Sequence, residues 1–152
     1  MTATNHGLSG ALIGLAITQP AVALPLAFAS HFILDAVPHF GDIRFHEDSK
    51  KRRLFHLYLL IDATLLAILI SFLFISNAGW LALGCLFMAG CPDFVHAYQY
   101  LFNKNFHKHG SGSKTHWFTR FHKNIQWSET QKGLIVEIPF AILLSALIIN
   151  LV

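Results

Sequence analysis

At 152 residues the chain is one domain by length, and 54% hydrophobic residues with a mean hydropathy of +0.51 argue against an ordinary soluble globule or a disordered segment. Only 12% of residues are charged, so the net charge of +3 bears on topology before it bears on partners. The expected fold class is all-α: a polytopic integral membrane helical bundle of about four to five transmembrane or re-entrant helices.

In chain order, Thr4-Asn5 offers N-cap chemistry for a first helix over Gly7 to Ile17, and Thr18-Gln19-Pro20 breaks it. A second helix then runs from Ala21 to Val37. At about 1.5 Å per residue these reach about 16 and 25 Å, too short to cross a core of roughly 30 Å, so residues 7–37 form a short hairpin that returns His6 to its starting side. No basic region precedes the first apolar run, so this helix is expected to be retained.

A basic loop follows over 38–53, then helices over 54–77 and 78–102, a basic and aromatic loop over 103–132, and a last helix over 133–152. All eleven Lys and Arg fall in the two loops, whereas the turn Ser76-Asn77-Ala78-Gly79 has none. The positive-inside rule therefore puts both loops in the cytoplasm. Within the second loop HGSGSK reads as irregular, and Trp117, Phe118, Phe121 and Ile125 recur at helical spacing beside Arg120 and Lys123, as in a basic amphipathic helix lying in the headgroup layer. Cys85 and Cys91 lie on different faces of one helix and read as buried thiols.

Ionisable residues inside apolar helices cost several kcal/mol unless paired or wet, so each is a candidate for function. The stretch SHFILDAVPHFGD sets His31, Asp35 and His39 at four-residue intervals, on one face if the helix survives past Pro38. Asp93 and His96 share a second face, and Tyr58 and Asp62 a third. His31, Asp62 and Asp93 stand roughly 9, 12 and 13 Å from the cytoplasmic helix ends, a common depth. Imidazole and carboxylate on facing helices is how bundles build metal sites. Mixed N and O donors suit a divalent metal, zinc first, with manganese or iron as alternatives. Glu137, one turn into the last helix, reads as an ion-pair partner, and His46, His56, His107 and His109 as loop or interface residues.

Gly90-Cys91-Pro92-Asp93-Phe94-Val95-His96 is similar to the P-D-x-D-H signature of the membrane-bound metal-dependent hydrolases (the YdjM-like group), and HFILDAVPHFGD resembles a segment of related small membrane proteins. The resemblance implies that Asp93 and His96 are metal ligands with His6 a third, and that His31, Asp35 and His39 belong to the same site. The chain departs from the signature in having Val95 at the second Asp. Its counterpart of a further H-R-G-x-T-H-S segment is reduced to His109-Gly110 and Thr115-His116.

The leading expectation is a membrane-embedded metal-dependent hydrolase acting near the cytoplasmic face on a phosphoester-type lipid bond, with Asp62 and Asp35 as catalytic carboxylates. Its partners would be membrane lipids, anionic ones above all, and not nucleic acid; its location would be a bacterial inner membrane. The competing classes are a small membrane protein whose polar layer only fixes helix packing, a cation or proton transporter, and a haem protein ligated by His31 and His96. Transport is disfavoured by the outer half, where Leu65 to Ile75 and Trp80 to Ala89 carry only Ser71 and Cys85 as polar residues.

Overall fold

The computed structural model describes residues 1–41, 49–102 and 117–152, with the side chains of 49–52, 96–102, 119, 123 and 131 left aside. Among the described residues the protein is almost wholly helical: α1 (Ala3–Ala16), α2 (Pro20–Asp35), α3 (Ser49–Ile75), α4 (Trp80–Phe102), α5 (Trp117–Ile125) and α6 (Leu134–Leu151). A minimal parallel pair joins β1 (His39–Phe40) to β2 (Glu129–Thr130), in register His39 with Glu129 and Phe40 with Thr130. The first apolar segment is thus two helices, broken at Thr18-Gln19 with Pro20 in the first turn of α2, where a missing N–H costs nothing.

α1 begins four residues before the expected Gly7, because its first turn is capped from two directions. The Thr2 hydroxyl accepts from Asn5 N, while the Asp62 carboxylate on α3 accepts from Ala3 N (2.9 Å) and Thr4 N (3.0 Å). The three otherwise orphaned amides of that turn are all satisfied. α2 ends at Asp35 because Pro38 drives the residue before it out of helical geometry. α3 closes with Asn77 in the left-handed region (φ 55°) and bonds from Ala78 N to Leu73 O and Asn77 N to Phe74 O, the glycine-type stop that lets a four-residue turn feed α4.

α1 is the hub, packing most closely on α4 and also on α2, α3 and α6. Its glycines make this approach achievable. A methyl group at Gly10 would strike the Cys85 carbonyl, and one at Gly14 would come within 2.6 Å of Leu81 O and 2.7 Å of the Ala82 Cα. Ala82, Cys85 and Ala89 complete a small-residue seam on α4, the side-chain economy that lets helices meet backbone to backbone. The apolar core beside it is Leu8, Ala11, Leu69, Leu73, Leu86, Leu144 and Ile148.

Two helices, α3 over Arg53–Ile75 and α6, are long and apolar enough to cross a membrane, and only 17% of each apolar stretch is buried inside the molecule. Their outward faces display Leu60, Ile61, Ile68, Phe74, Ile138, Ile142 and Ile149. Pro20–Asp35 and Trp80–Val95 are shorter apolar stretches.

Candidate metal centre

His31 and Asp35 share one face of α2 in its last turns, as the four-residue spacing requires. α4 brings Asp93, one residue beyond Pro92, and α5 brings His122. Helix α5 docks through its apolar face: Phe118 and Phe121 lie edge-on to Phe32 of α2 at 6.2 and 5.4 Å, and Ser128 Oγ just beyond the helix donates to Val37 O. The same face carries His122 inward, where it is buried.

One ligand atom from each of His31, Asp35, Asp93 and His122 falls within 4.8 Å of all the others, so the group could hold a metal ion. His31 Nε2 is 2.9 Å from His122 Nε2 and 3.2 Å from Asp35 Oδ2, and His122 Nε2 is 2.7 Å from Asp35 Oδ2. Asp93 Oδ1 lies 3.8 and 3.9 Å from the two ring nitrogens. Two ligands each about 2.1 Å from a common ion stand at most about 4.2 Å apart, a limit that these five separations meet. They also leave no space for a porphyrin on His31.

The tautomer of His31 supports a ligand role. Its Nδ1 is 2.7 Å from the Ala89 carbonyl, which can only accept, so Nδ1 carries the proton and Nε2 offers a lone pair to the cluster. Asp35 is wholly buried and is the pivot of the site. Its Oδ2 faces both imidazoles and accepts from Gln126 Nε2 (3.2 Å), while Oδ1 faces His6 Nε2 (3.1 Å) and the Met1 amino group (2.6 Å). Two imidazoles and two carboxylates suit zinc, manganese or iron and do not choose among them.

His6 joins the site without reaching its centre. Its ring stacks on His31 (centroids 4.0 Å apart) and its Nε2 holds the outer oxygen of Asp35, so it orients two ligands at once. Its buried Nδ1 has no hydrogen-bond partner among the described residues.

The other sequence candidates are placed elsewhere. His39 leaves the His31 and Asp35 row because the helix stops before Pro38; its buried ring lies in β1, with Nδ1 donating to Val37 O and Nε2 3.8 Å from Glu129 Oε1. Asp62 is not part of the cluster, and both its carboxylate oxygens accept from α1 amides, the arrangement of a helix cap. Glu137 is not an ion-pair partner among the described residues: Oε2 accepts from Tyr58 Oη (2.9 Å) and Oε1 from Phe40 N (3.3 Å). His96 is on α4, but its side chain lies outside the described residues, as do His46, His107, His109, HGSGSK and Lys50 to Arg52.

His122 was not among the sequence candidates. Its signal is a histidine on the apolar face of an otherwise basic helix, one turn from Phe118 and flanked by Phe121 and Ile125. A comparison with known proteins returns no matching family model, curated protein or solved structure, so the resemblance to the membrane-bound metal-dependent hydrolases stands on its short motifs alone.

Proposed function

We propose that the protein is an integral membrane metal-dependent hydrolase that cuts a phosphoester-type bond of a lipid near the cytoplasmic face. The observation that carries this reading is the convergence of His31, Asp35, Asp93 and His122, drawn from three helices and up to 91 residues apart in sequence. α3 and α6 would cross the bilayer with the apolar part of α4 beside them, and α1 with α2 would form a re-entrant hairpin. With Arg53, Arg120 and Lys132 on the cytoplasmic side, the centre lies at the depth of lipid linkages, and the basic residues attract anionic headgroups. Of the residues the resemblance implies, His31, Asp35 and Asp93 lie in the cluster, His6 stands behind it and His39 lies apart in β1, while His122 is an addition.

A divalent ion held here would polarise a phosphoryl oxygen and lower the pKa of a bound water toward neutrality. The chain's own residues divide the remaining work. Buried Asp35 fixes both imidazoles, and His31 is locked in its ligand tautomer by Ala89 O. Asp93, with 35% of its side chain exposed, is the partly open member of the group and the one positioned to pass a proton to solvent.

The test is metal content by mass spectrometry on protein purified in mild detergent, followed by hydrolysis assays with phospholipid and polyprenyl phosphate substrates. Stoichiometric zinc, manganese or iron, lost in Asp93→Ala and His31→Ala, together with turnover of one of these lipids, is the expected result. Protein that carries no metal after exposure to each ion would leave the polar cluster a packing device.

A further inference from the structure

Among the described residues, α2, α4 and α5 leave a cleft of about 310 Å³ beside the candidate metal centre, lined by Phe28, Cys91, Pro92, Val95, Trp117 and Phe118. Every element that supplies a ligand also supplies a wall, and the wall residues are chain neighbours of the ligands. Phe28 is one helical turn before His31, Pro92 directly precedes Asp93, and Phe118 is one turn before His122. The cleft therefore begins where the metal centre ends, next to its partly exposed ligand Asp93.

We propose that this cleft holds the hydrocarbon chain of the substrate, so that the centre acts on the polar end of a long-chain phosphate ester. The inference rests on the hydrolase reading and adds the substrate's apolar part to it. The walls are almost wholly apolar, and the thiol of Cys91 is already turned to Met88 O (3.3 Å). A peptide or sugar entering would lose water without gaining partners, whereas a hydrocarbon chain loses nothing. The indole of Trp117, 67% exposed, stands at the rim with the amphipathic character of an interfacial anchor.

The experiment uses full-length, metal-loaded protein in mild detergent, in a Trp80→Phe, Trp127→Phe background that leaves Trp117 as the reporter. Dodecyl phosphate brominated in its chain should quench Trp117 saturably, and unlabelled dodecyl phosphate should reverse the quenching. Cys91→Phe, or Val95→Phe should the first variant not fold, fills the cleft and should abolish the saturable quenching while metal content is unchanged. In turnover assays dodecyl phosphate should show a KM at least about tenfold below butyl phosphate, given the contribution of each buried methylene. That preference should vanish in the filled variants.

Saturable quenching that survives both substitutions would overturn the cleft, even with lipid hydrolysis intact. Reversal by dodecane as effective as by dodecyl phosphate would also overturn it, since the chain would then be bound without reference to the centre. Quenching that behaves as expected in a protein hydrolysing neither ester would support the cleft and overturn the hydrolase reading instead.

Discussion

Asp35 and Asp62 are both buried carboxylates on apolar helices, and both are touched by the first turns of α1, yet their surroundings differ in kind. Around Asp62 donors match acceptors: two backbone amides meet two carboxylate oxygens, and nearby Glu137 is answered by an amide and a tyrosine hydroxyl. Around Asp35 the partners are side chains and the chain's amino group: the Met1 amino group and His6 Nε2 face one oxygen, and His122 Nε2 and Gln126 Nε2 the other. The Nε2 of His31 faces the Nε2 of His122 at 2.9 Å, and Asp93 adds a second carboxylate. A carboxylate met by backbone amides alone is finished as a structural joint, whereas one that gathers two imidazoles beside a second carboxylate could offer a divalent cation several ligand atoms. The kind of partner separates the two where burial and residue type do not.

That contrast can be broken most directly at Asp35. Asp35→Ala should weaken metal binding by at least about a hundredfold, since even outer-shell partners of such ligands contribute 10- to 100-fold. Metal retained at wild-type stoichiometry would show that the cluster is not the site. His122→Ala should produce a comparable loss of metal with the helical circular dichroism signal preserved; retention would mean that α5 is only a cover. His6→Ala should weaken affinity by about 10- to 100-fold without abolishing it, as expected for a residue that orients two ligands. An isothermal titration showing no change would remove His6 from the site.

On the other side of α1, Asp62→Asn should leave metal content untouched and destabilise the fold by about 1–3 kcal/mol, because an amide cannot accept two α1 N–H groups as a carboxylate does. Thermal unfolding in detergent reads this, and a loss of metal instead would place Asp62 in the centre after all. Tyr58→Phe is the mildest change, at about 1 kcal/mol for one hydrogen bond to Glu137.

Much of the site was legible in the sequence because it is local. His31 and Asp35 declare themselves by helical spacing, and Asp93 by following Pro92 within an apolar run. The break at Thr18-Gln19-Pro20 and the uncharged turn at Ser76 to Gly79 likewise carry their own chemistry. His39 misled because a four-residue interval predicts a shared face only while the helix lasts, and Pro38 ends it first. Asp62 misled because its partners are the amides of a helix 58 and 59 residues away, which no periodicity on α3 announces. His122 was hidden for the same reason in reverse: its basic neighbours described the outer face of α5, while its partners lay on α2 and α4.

The glycine seam between α1 and α4 has a consequence for how the fold is held together. What holds α1 comes later in the chain than α1 itself: the Asp62 cap, the Cys85 and Ala82 backbone against which Gly10 and Gly14 rest, and the Glu137 carbonyl that receives Asn5. A fourteen-residue helix is marginal on its own, so its place in the fold depends on these later segments. Because His6 rides on that helix, the outer oxygen of Asp35 is met from the start of the chain while its inner oxygen is met by His122 and Gln126, 87 and 91 residues after it.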